Sequence, residues 1–125
     1  MVLVDSSVWV SFLQSGGELM LTQLLNLNEV CMHDMVLGEI AMGSNEQRKN
    51  ALMLLPLLPS MEVASHTDVM KLVDKHQLYG RGIGYVDAHL LTSAVLRPGT
   101  QLWTRDKRLQ AAATHLGIAF EALAH

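Results

Sequence analysis

Short apolar runs of strand length alternate along the chain with segments of helical periodicity. The strand-like runs are residues 2–5, 29–33, 61–64, 101–104 and 118–120. The helical segments between and after them are residues 8–13, 17–26, 35–42, 45–55, 67–78, 86–96 and 109–116. This alternation is typical of α/β proteins, in which a parallel sheet carries helices on both faces. We therefore expect a parallel sheet of four to five strands flanked by helices.

The length and composition of the chain fit one compact domain spanning residues 1–125. A chain of 125 residues, 50% of them hydrophobic, can bury one core of ordinary size. The longest apolar stretches fall short of the ~18 residues that a membrane span requires, and no basic segment precedes an N-terminal apolar run. The single cysteine, Cys31, excludes an internal disulfide and fits a reducing compartment. We expect a soluble cytoplasmic protein.

The distribution of charge gives a mixed signal about nucleic acid. The net charge of −3 excludes a general basic surface of the kind that many nucleic-acid-binding domains carry. Basic residues nevertheless cluster at Arg105, Lys107 and Arg108. Such a cluster can bind phosphate inside an acidic protein, or it can be the solvated start of a helix. Both interpretations stay open at this stage.

Acidic residues stand where predicted strands end or where the helices after them begin. Asp5 ends the first run, Glu39 lies on the helix after the second, Asp87 begins the helix after a glycine-rich loop, and Asp106 follows the fourth run. Ligands of doubly wound sheets bind beyond the carboxyl ends of the strands, so these carboxylates are expected to share one cleft. Each of the three aspartates can alternatively cap the helix that follows it.

Several carboxylates in one cleft require a positive ion. Like charges at close range raise one another's pKa and oppose folding unless a cation neutralises them. Ligand sets made only of oxygen suit Mg²⁺ or Mn²⁺ rather than zinc. The histidines and Cys31 lack zinc-type spacing, and "GRGIG" at 80–84 lacks a nucleotide-binding pattern. The acids therefore predict Mg²⁺ (or Mn²⁺) as the cofactor.

With these motifs the chain resembles the PIN-domain ribonucleases, and most closely the VapC toxins of bacterial type II toxin–antitoxin modules. The resemblance rests on "VLVDSSVWV" at 2–10, "GEI" at 38–40, "GIGYVDAHLLTSA" at 82–94 and "LWTRDKRL" at 102–109. It implies a single PIN-like domain and an endoribonuclease that depends on Mg²⁺ or Mn²⁺. The implied products of RNA hydrolysis carry 5′-phosphate and 3′-hydroxyl ends.

The resemblance also implies roles for individual side chains. The catalytic acids would be Asp5, Glu39, Asp87 and Asp106. Asp5 and Asp87 would anchor the principal metal ion, Asp106 would complete its ligands, and Glu39 would orient or activate water. Whether Asp106 binds metal directly or only caps a helix stays open.

Polar and basic residues of the same motifs would complete the site. Ser6 and Thr104 match polar positions that line the cleft, and Arg105, Lys107 and Arg108 flank the same edge, where they would position the RNA backbone. The implied partners are an RNA substrate, a small antitoxin protein and a second copy of the chain in a homodimer, with no membrane.

Other protein classes share parts of this pattern. A PIN nuclease of RNA processing would have the same site without an antitoxin. A Mg²⁺-binding receiver domain would need adjacent acids after the first strand, where this chain has Ser6 and Ser7, and a lysine after the last strand. A phosphatase of the haloacid dehalogenase type would need an aspartate in place of Ser7. A non-catalytic binding module would tolerate neutral residues in the cleft, yet all four acids are present.

Overall fold

A small parallel sheet forms the centre of the protein. The structure, a computed structural model, describes residues 1–44 and 46–122. Within them the strands are β1 (Val2–Val4), β2 (Val30–Cys31) and β3 (Gln101–Trp103), in the order β2-β1-β3. Both pairings are parallel, with Leu3 opposite Cys31 on one side and Leu102 on the other. The carboxyl ends of all three strands therefore lie at one edge.

Helices follow each strand and surround the sheet. They are α1 (Ser6–Ser15), α2 (Leu19–Asn26), α3 (Asp34–Ala41), α4 (Arg48–Leu54), α5 (His66–Lys75), α6 (Tyr85–Leu96) and α7 (Lys107–His115), with a short 3₁₀ turn at Leu55–Leu57 after α4. The prediction of an α/β fold with a parallel sheet is confirmed. Residue 45, the first of the predicted helix 45–55, lies outside the described residues.

The predicted number of strands is wrong. The runs 61–64 and 118–120 do not form strands, and each edge of the sheet gains only a single bridge, Met32 to Ser60 and Leu102 to Ala119. On the first edge, Met61 N–H donates to the Met32 carbonyl, but Ala64 N–H already turns away to the Ser93 hydroxyl. The chain therefore leaves the sheet after one pairing, and the described sheet has three strands.

The core is built around β1 and α6. All three residues of β1 are buried, as is the unbroken run 88–94 in the middle of α6. The core also includes Val8 and Trp9 of α1, and Cys31 is a buried free thiol on β2. Across the described ranges no helix has the length and apolarity that crossing a bilayer would need.

The N-terminus of α3 is capped by a histidine. His33 is the N-cap residue, and Asp34 lies in the first turn. The His33 Nδ1 atom accepts a hydrogen bond from Met35 N–H at 3.1 Å, and Nε2 lies 3.0 Å from the Ser93 hydroxyl. Burial lowers the pKa of His33, with a further contribution from His89, so the neutral ring that can accept at Nδ1 is favoured. This cap fixes the start of the helix that carries Glu39.

Candidate active site

Asp5 lies at the carboxyl end of the central strand, in the N-cap position of α1. Its side chain makes no capping bond to that helix. Instead Ser7 Oγ and Thr104 Oγ1 both donate to Asp5 Oδ2, at 2.7 and 2.8 Å. The residue is only 5% exposed, and a buried carboxylate is costly unless it is hydrogen-bonded. Since neither hydroxyl bond involves Oδ1, that oxygen stays open to another ligand.

Glu39 approaches Asp5 from the surface of α3. Ser6 Oγ donates to its Oε1 at 3.2 Å. Partial burial of the carboxyl raises the pKa of Glu39, the charge of Asp5 raises it next, and Asp87 adds a smaller increase, against a lowering by the Ser6 bond. The shifts by Asp5 and Asp87 indicate that these three carboxylates lie within electrostatic reach of one another.

Asp87 is in the first turn of α6, where it both caps its own helix and belongs to the acidic group. Its Oδ2 accepts a hydrogen bond from Gly84 N–H at 3.2 Å, so it caps the start of its own helix. Burial raises the pKa of Asp87, the Gly84 bond lowers it, and the charges of Asp5 and Asp106 raise it again. Capping and membership of the acidic group therefore coexist at this residue.

Asp106 is the N-cap residue of α7. Its Oδ1 accepts hydrogen bonds from Arg108 N–H at 2.8 Å and from Leu109 N–H at 3.2 Å. The alternative role considered from the sequence, capping, is therefore present in the structure. Both bonds use Oδ1, and the charge of Asp106 still contributes to the raised pKa of Asp87. Capping does not remove this carboxylate from the electrostatics of the group.

The four acids form an electrostatic cluster rather than a closed coordination sphere. In the parts of the chain that the structure describes, no three His, Cys, Asp or Glu side chains are placed to hold one ion together. Each carboxylate is instead oriented by a hydroxyl or an amide of its own neighbourhood. This arrangement fits a divalent ion that keeps several waters and needs only one or two carboxylates in direct contact. Burial raises the pKa values of Glu39 and Asp87 most and the neighbouring carboxylates add to this, so a cation in the cleft would stabilise the ionised form of both groups.

Ser7 is a site residue that sequence reasoning missed. Its hydroxyl donates to Asp5, lies 3.3 Å from Thr104 Oγ1, and accepts from Arg105 N–H at 3.0 Å. It therefore joins α1 to the segment that follows β3. The sequence used Ser7 only to exclude other protein classes. The signal available was its place two residues after Asp5, where a serine side chain can turn back to the carboxylate.

The three predicted RNA contacts differ in their surroundings. Arg105 Nη2 forms an ion pair with Glu18 Oε2 at 2.8 Å. Arg108 lies across Gly82 so closely that a Cβ on that glycine would come within 2.6 Å of its Nη1 atom. Lys107 is the exposed first residue of α7. Neither Arg108 nor Lys107 has an ion-pair partner among residues 1–44 and 46–122, so these two cations have the freer charge.

Comparison with known proteins agrees with this arrangement. The profile of the PIN domain family matches residues 2–114. The chain is 45% identical over 119 residues to Ribonuclease VapC32 of Mycobacterium tuberculosis, in both strain CDC 1551 / Oshkosh and strain H37Rv, with 95% of each chain covered. Two findings define the class of the protein. They are the parallel sheet with acidic residues at its carboxyl edge and the match to the PIN domain family. The chain belongs to the PIN-domain family, and the expectation from its motifs is confirmed. Its named relatives in the comparison are VapC ribonucleases.

Replacement of Glu39 by glutamine is expected to stabilise the metal-free protein at neutral pH. A raised pKa means that the folded protein binds the Glu39 proton more tightly than the unfolded chain does. Proton binding at Glu39 therefore stabilises the fold at low pH, and this stabilisation is lost as pH rises through the folded-state pKa. Solvent screens much of the repulsion, so we expect Glu39→Gln to raise Tm by only about 1–3 °C at neutral pH. Near pH 4 the gain should disappear.

Thermal unfolding at a series of pH values in a chelating buffer measures this effect. Glu62→Gln is the matched control, because Glu62 is exposed and is not among the residues that perturb the pKa of Glu39 or Asp87. Equal Tm shifts for the two variants, or a shift that does not depend on pH, would contradict repulsion within the acidic cluster.

Proposed function

We propose that this chain is a metal-dependent endoribonuclease and the toxin of a type II toxin–antitoxin module. The observation that supports this most is the group of four acids at the carboxyl edge of a PIN-type sheet, with Asp5 held buried by Ser7 and Thr104. The 45% identity to proteins named as ribonucleases supports RNA as the substrate. A cytoplasmic location and a homodimer are part of the same proposal.

The ligands of the ion would be Asp5 and Asp87, with Asp106 contributing through its second oxygen. Asp5 Oδ1 and Asp106 Oδ2 are not used by the hydrogen bonds that orient these side chains. Mg²⁺ or Mn²⁺, when bound, supplies positive charge that eases the deprotonation of water and stabilises charge on the phosphate oxygens. Asp5 would keep its position throughout, because two hydroxyl groups fix it.

The reaction would be hydrolysis of an RNA phosphodiester bond. A water molecule attacks phosphorus, the bond from phosphorus to the 3′ oxygen breaks, and the products are a 5′-phosphate and a 3′-hydroxyl. Glu39 is the residue suited to accept the proton of the attacking water, because burial, the main cause of its raised pKa, brings that pKa closer to the working pH whether or not the ion is bound. Its exposed position on α3 also leaves it accessible to solvent.

Removal of the Asp87 charge should abolish cleavage without unfolding the protein. Asp87→Asn keeps a side-chain oxygen that can accept from Gly84 N–H, so the cap of α6 can persist while the negative charge is lost. We expect a fall in cleavage rate of at least about 100-fold, because the ion that Asp87 would hold stabilises the transition state by several kcal/mol. The assay is cleavage of a defined single-stranded RNA with Mg²⁺, with Mn²⁺ and with chelator, with end-group analysis of the products.

Asp74→Asn is the control for this assay, since Asp74 is an exposed aspartate near the end of α5. Added Mg²⁺ or Mn²⁺ should also raise the Tm of the wild type and of Asp74→Asn, and raise that of Asp87→Asn less. Full activity of Asp87→Asn, or cleavage by the wild type in chelator, would refute the proposed metal-dependent site.

Binding of the RNA backbone should depend more on Arg108 than on Arg105. Each phosphate contact to a single strand contributes about 0.7 to the slope of log affinity against log salt. We expect Arg108→Ala to reduce that slope by about 0.7, because its guanidinium lacks an ion-pair partner in the described structure. Arg105→Ala should leave the slope nearly unchanged, because Glu18 already neutralises its charge. Anisotropy of a labelled RNA at several salt concentrations, without divalent metal, measures both slopes. Equal slopes for the two variants would contradict this ranking.

An apolar groove supports the antitoxin part of the proposal. It lies between α1 and α4, has a volume of about 380 Å³, and is lined by Trp9, Phe12, Leu13, Leu25, Ala51 and Leu54 among others. Leu54 is 62% exposed at its edge. An amphipathic helix that lays its apolar side into a groove is a common mode of peptide binding. We assign this groove to a helical segment of the antitoxin.

A charge placed in this groove should disrupt antitoxin binding. The partner to test is the product of a short reading frame beside the gene, co-expressed with the toxin. Leu54→Asp is expected to weaken the complex by about 30-fold or more, because it sets a charge against the apolar side of the bound helix. Met42→Asp is the control, since Met42 is 89% exposed at the end of α3. Equal binding by both variants would place the antitoxin elsewhere, and absence of any such partner would favour a PIN nuclease of RNA processing.

A further inference from the structure

The exposed aromatic side chains lie on one part of the surface. The chain has two tryptophans, two tyrosines and two phenylalanines. Both tryptophans are buried, and both phenylalanines are partly buried against the core. The two tyrosines differ from these buried rings, because Tyr79 is 63% exposed and Tyr85 is 47% exposed. An exposed pair of rings is unusual in a chain that hides its other aromatic groups, and large exposed apolar surfaces commonly mark binding sites.

Both tyrosines line one small pocket. It has a volume of about 200 Å³ and is also lined by Met70, Leu78, Ile83 and Gly84. Gly84 is the residue whose N–H holds the Asp87 carboxylate. The pocket and the acidic cluster therefore share the backbone segment from Gly84 to Asp87, so one RNA strand can span both.

The Tyr85 ring is fixed in place by two histidines. Its hydroxyl lies 2.6 Å from His66 Nδ1 on α5 and 3.0 Å from His89 Nε2 on α6. The ring is also nearly perpendicular to that of His89, at a centroid distance of 4.7 Å and an angle of 86°. These contacts hold the hydroxyl and the ring in one orientation, so the exposed part of Tyr85 needs no further ordering when a ligand binds in the pocket. Preorganisation of this kind favours a stacked ligand.

We propose that this pocket, formed by Tyr79 and Tyr85, binds a nucleobase of the RNA substrate next to the phosphate that is cleaved. The inference rests on the proposed ribonuclease function and assigns it a base subsite. Aromatic side chains stack on the faces of unpaired bases, which is how single-stranded RNA is most often held. The exposed Arg81 follows Tyr79 by two residues and is anchored by its Nε–H to the Gln77 carbonyl at 2.9 Å. It supplies a positive charge beside the pocket for the neighbouring phosphate.

The test uses a short single-stranded RNA that contains 2-aminopurine, whose fluorescence falls on stacking, measured in chelator so that no cleavage occurs. A second RNA of the same length lacks the base at that position. We expect Tyr85→Leu to weaken binding of the base-containing RNA about tenfold, in the range of one lost stacking contact, and to remove the quenching. Tyr85→Phe keeps the ring and should retain most of both signals.

The abasic RNA separates stacking from a general loss of structure. It should bind wild type about tenfold more weakly than the intact RNA does, and Tyr85→Leu should weaken its binding no further. Tyr79→Leu is a second variant that leaves the two histidine contacts of Tyr85 intact, and it should reduce quenching in the same direction. Leu19→Ala, an exposed apolar change on α2, should have no effect. Tm values confirm that each variant is folded.

Other results would overturn the subsite. Equal binding of intact and abasic RNA by wild type would do so, and so would unchanged quenching in both tyrosine variants. A change of oligomeric state in Tyr85→Leu by light scattering, with quenching retained, would assign the pocket to a contact between copies of the chain. If wild type cleaves RNA and Asp87→Asn does not, such results count against the subsite alone. If wild type neither binds nor cleaves RNA, the proposed function fails with it.

Discussion

The hydrogen bonds that hold Asp5 are the interaction on which the site depends. A carboxylate that is 5% exposed at the end of the central strand would be costly without them. Ser7 accepts from Arg105 N–H and donates to Asp5, and Thr104 accepts from Asp106 N–H and donates to the same oxygen. Each hydroxyl thus links a backbone amide to the carboxylate through two consecutive hydrogen bonds, and hydrogen bonds in such chains strengthen one another. The same bonds tie α1 to the segment between β3 and α7.

Repulsion among the acids determines which ligand the site around Asp5 can bind. Asp5 is fixed, whereas Glu39 and Asp87 have raised pKa values because burial and neighbouring charge disfavour their ionised forms. The fold therefore accepts a local loss of stability at this edge, as functional sites commonly do. A divalent cation relieves that repulsion more effectively than protonation does at neutral pH, since it leaves the carboxylates available as ligands. The arrangement of the carboxylates and their electrostatics thus both favour a divalent cation.

The sequence predicted the helices and the location of the acids well, because helical periodicity is a local pattern and the convergence of strand ends is a general rule of parallel sheets. Helical periodicity and breakers such as Pro56 bounded the helices, and parallel strands bring residues as distant as Asp5 and Asp106 to one edge. The edges of the sheet were predicted wrongly, because pairing there depends on competition from other parts of the fold. Ala64 bonds to Ser93 on α6 and so leaves the sheet, which no local pattern reveals. The contacts of Ser7 with Thr104 and Arg105 were missed for the same reason, since these two partners are distant in sequence and meet Ser7 only in the folded chain.

The glycine loop at 80–84 shows how a segment with a weak motif can organise a site. Gly82 has a φ of +77°, a conformation that side chains disfavour, and Arg108 occupies the space where its Cβ would lie. Two residues later, Gly84 N–H holds Asp87. The loop thus positions a cation on one side and a carboxylate on the other, and it leads directly into Tyr85. An RNA strand that follows this loop would meet a positive charge, an acidic cluster and an aromatic ring in close succession. In the proposed function these three features would bind a phosphate, assist cleavage through a metal ion and stack on a base, so the loop as well as the sheet edge would align the substrate strand.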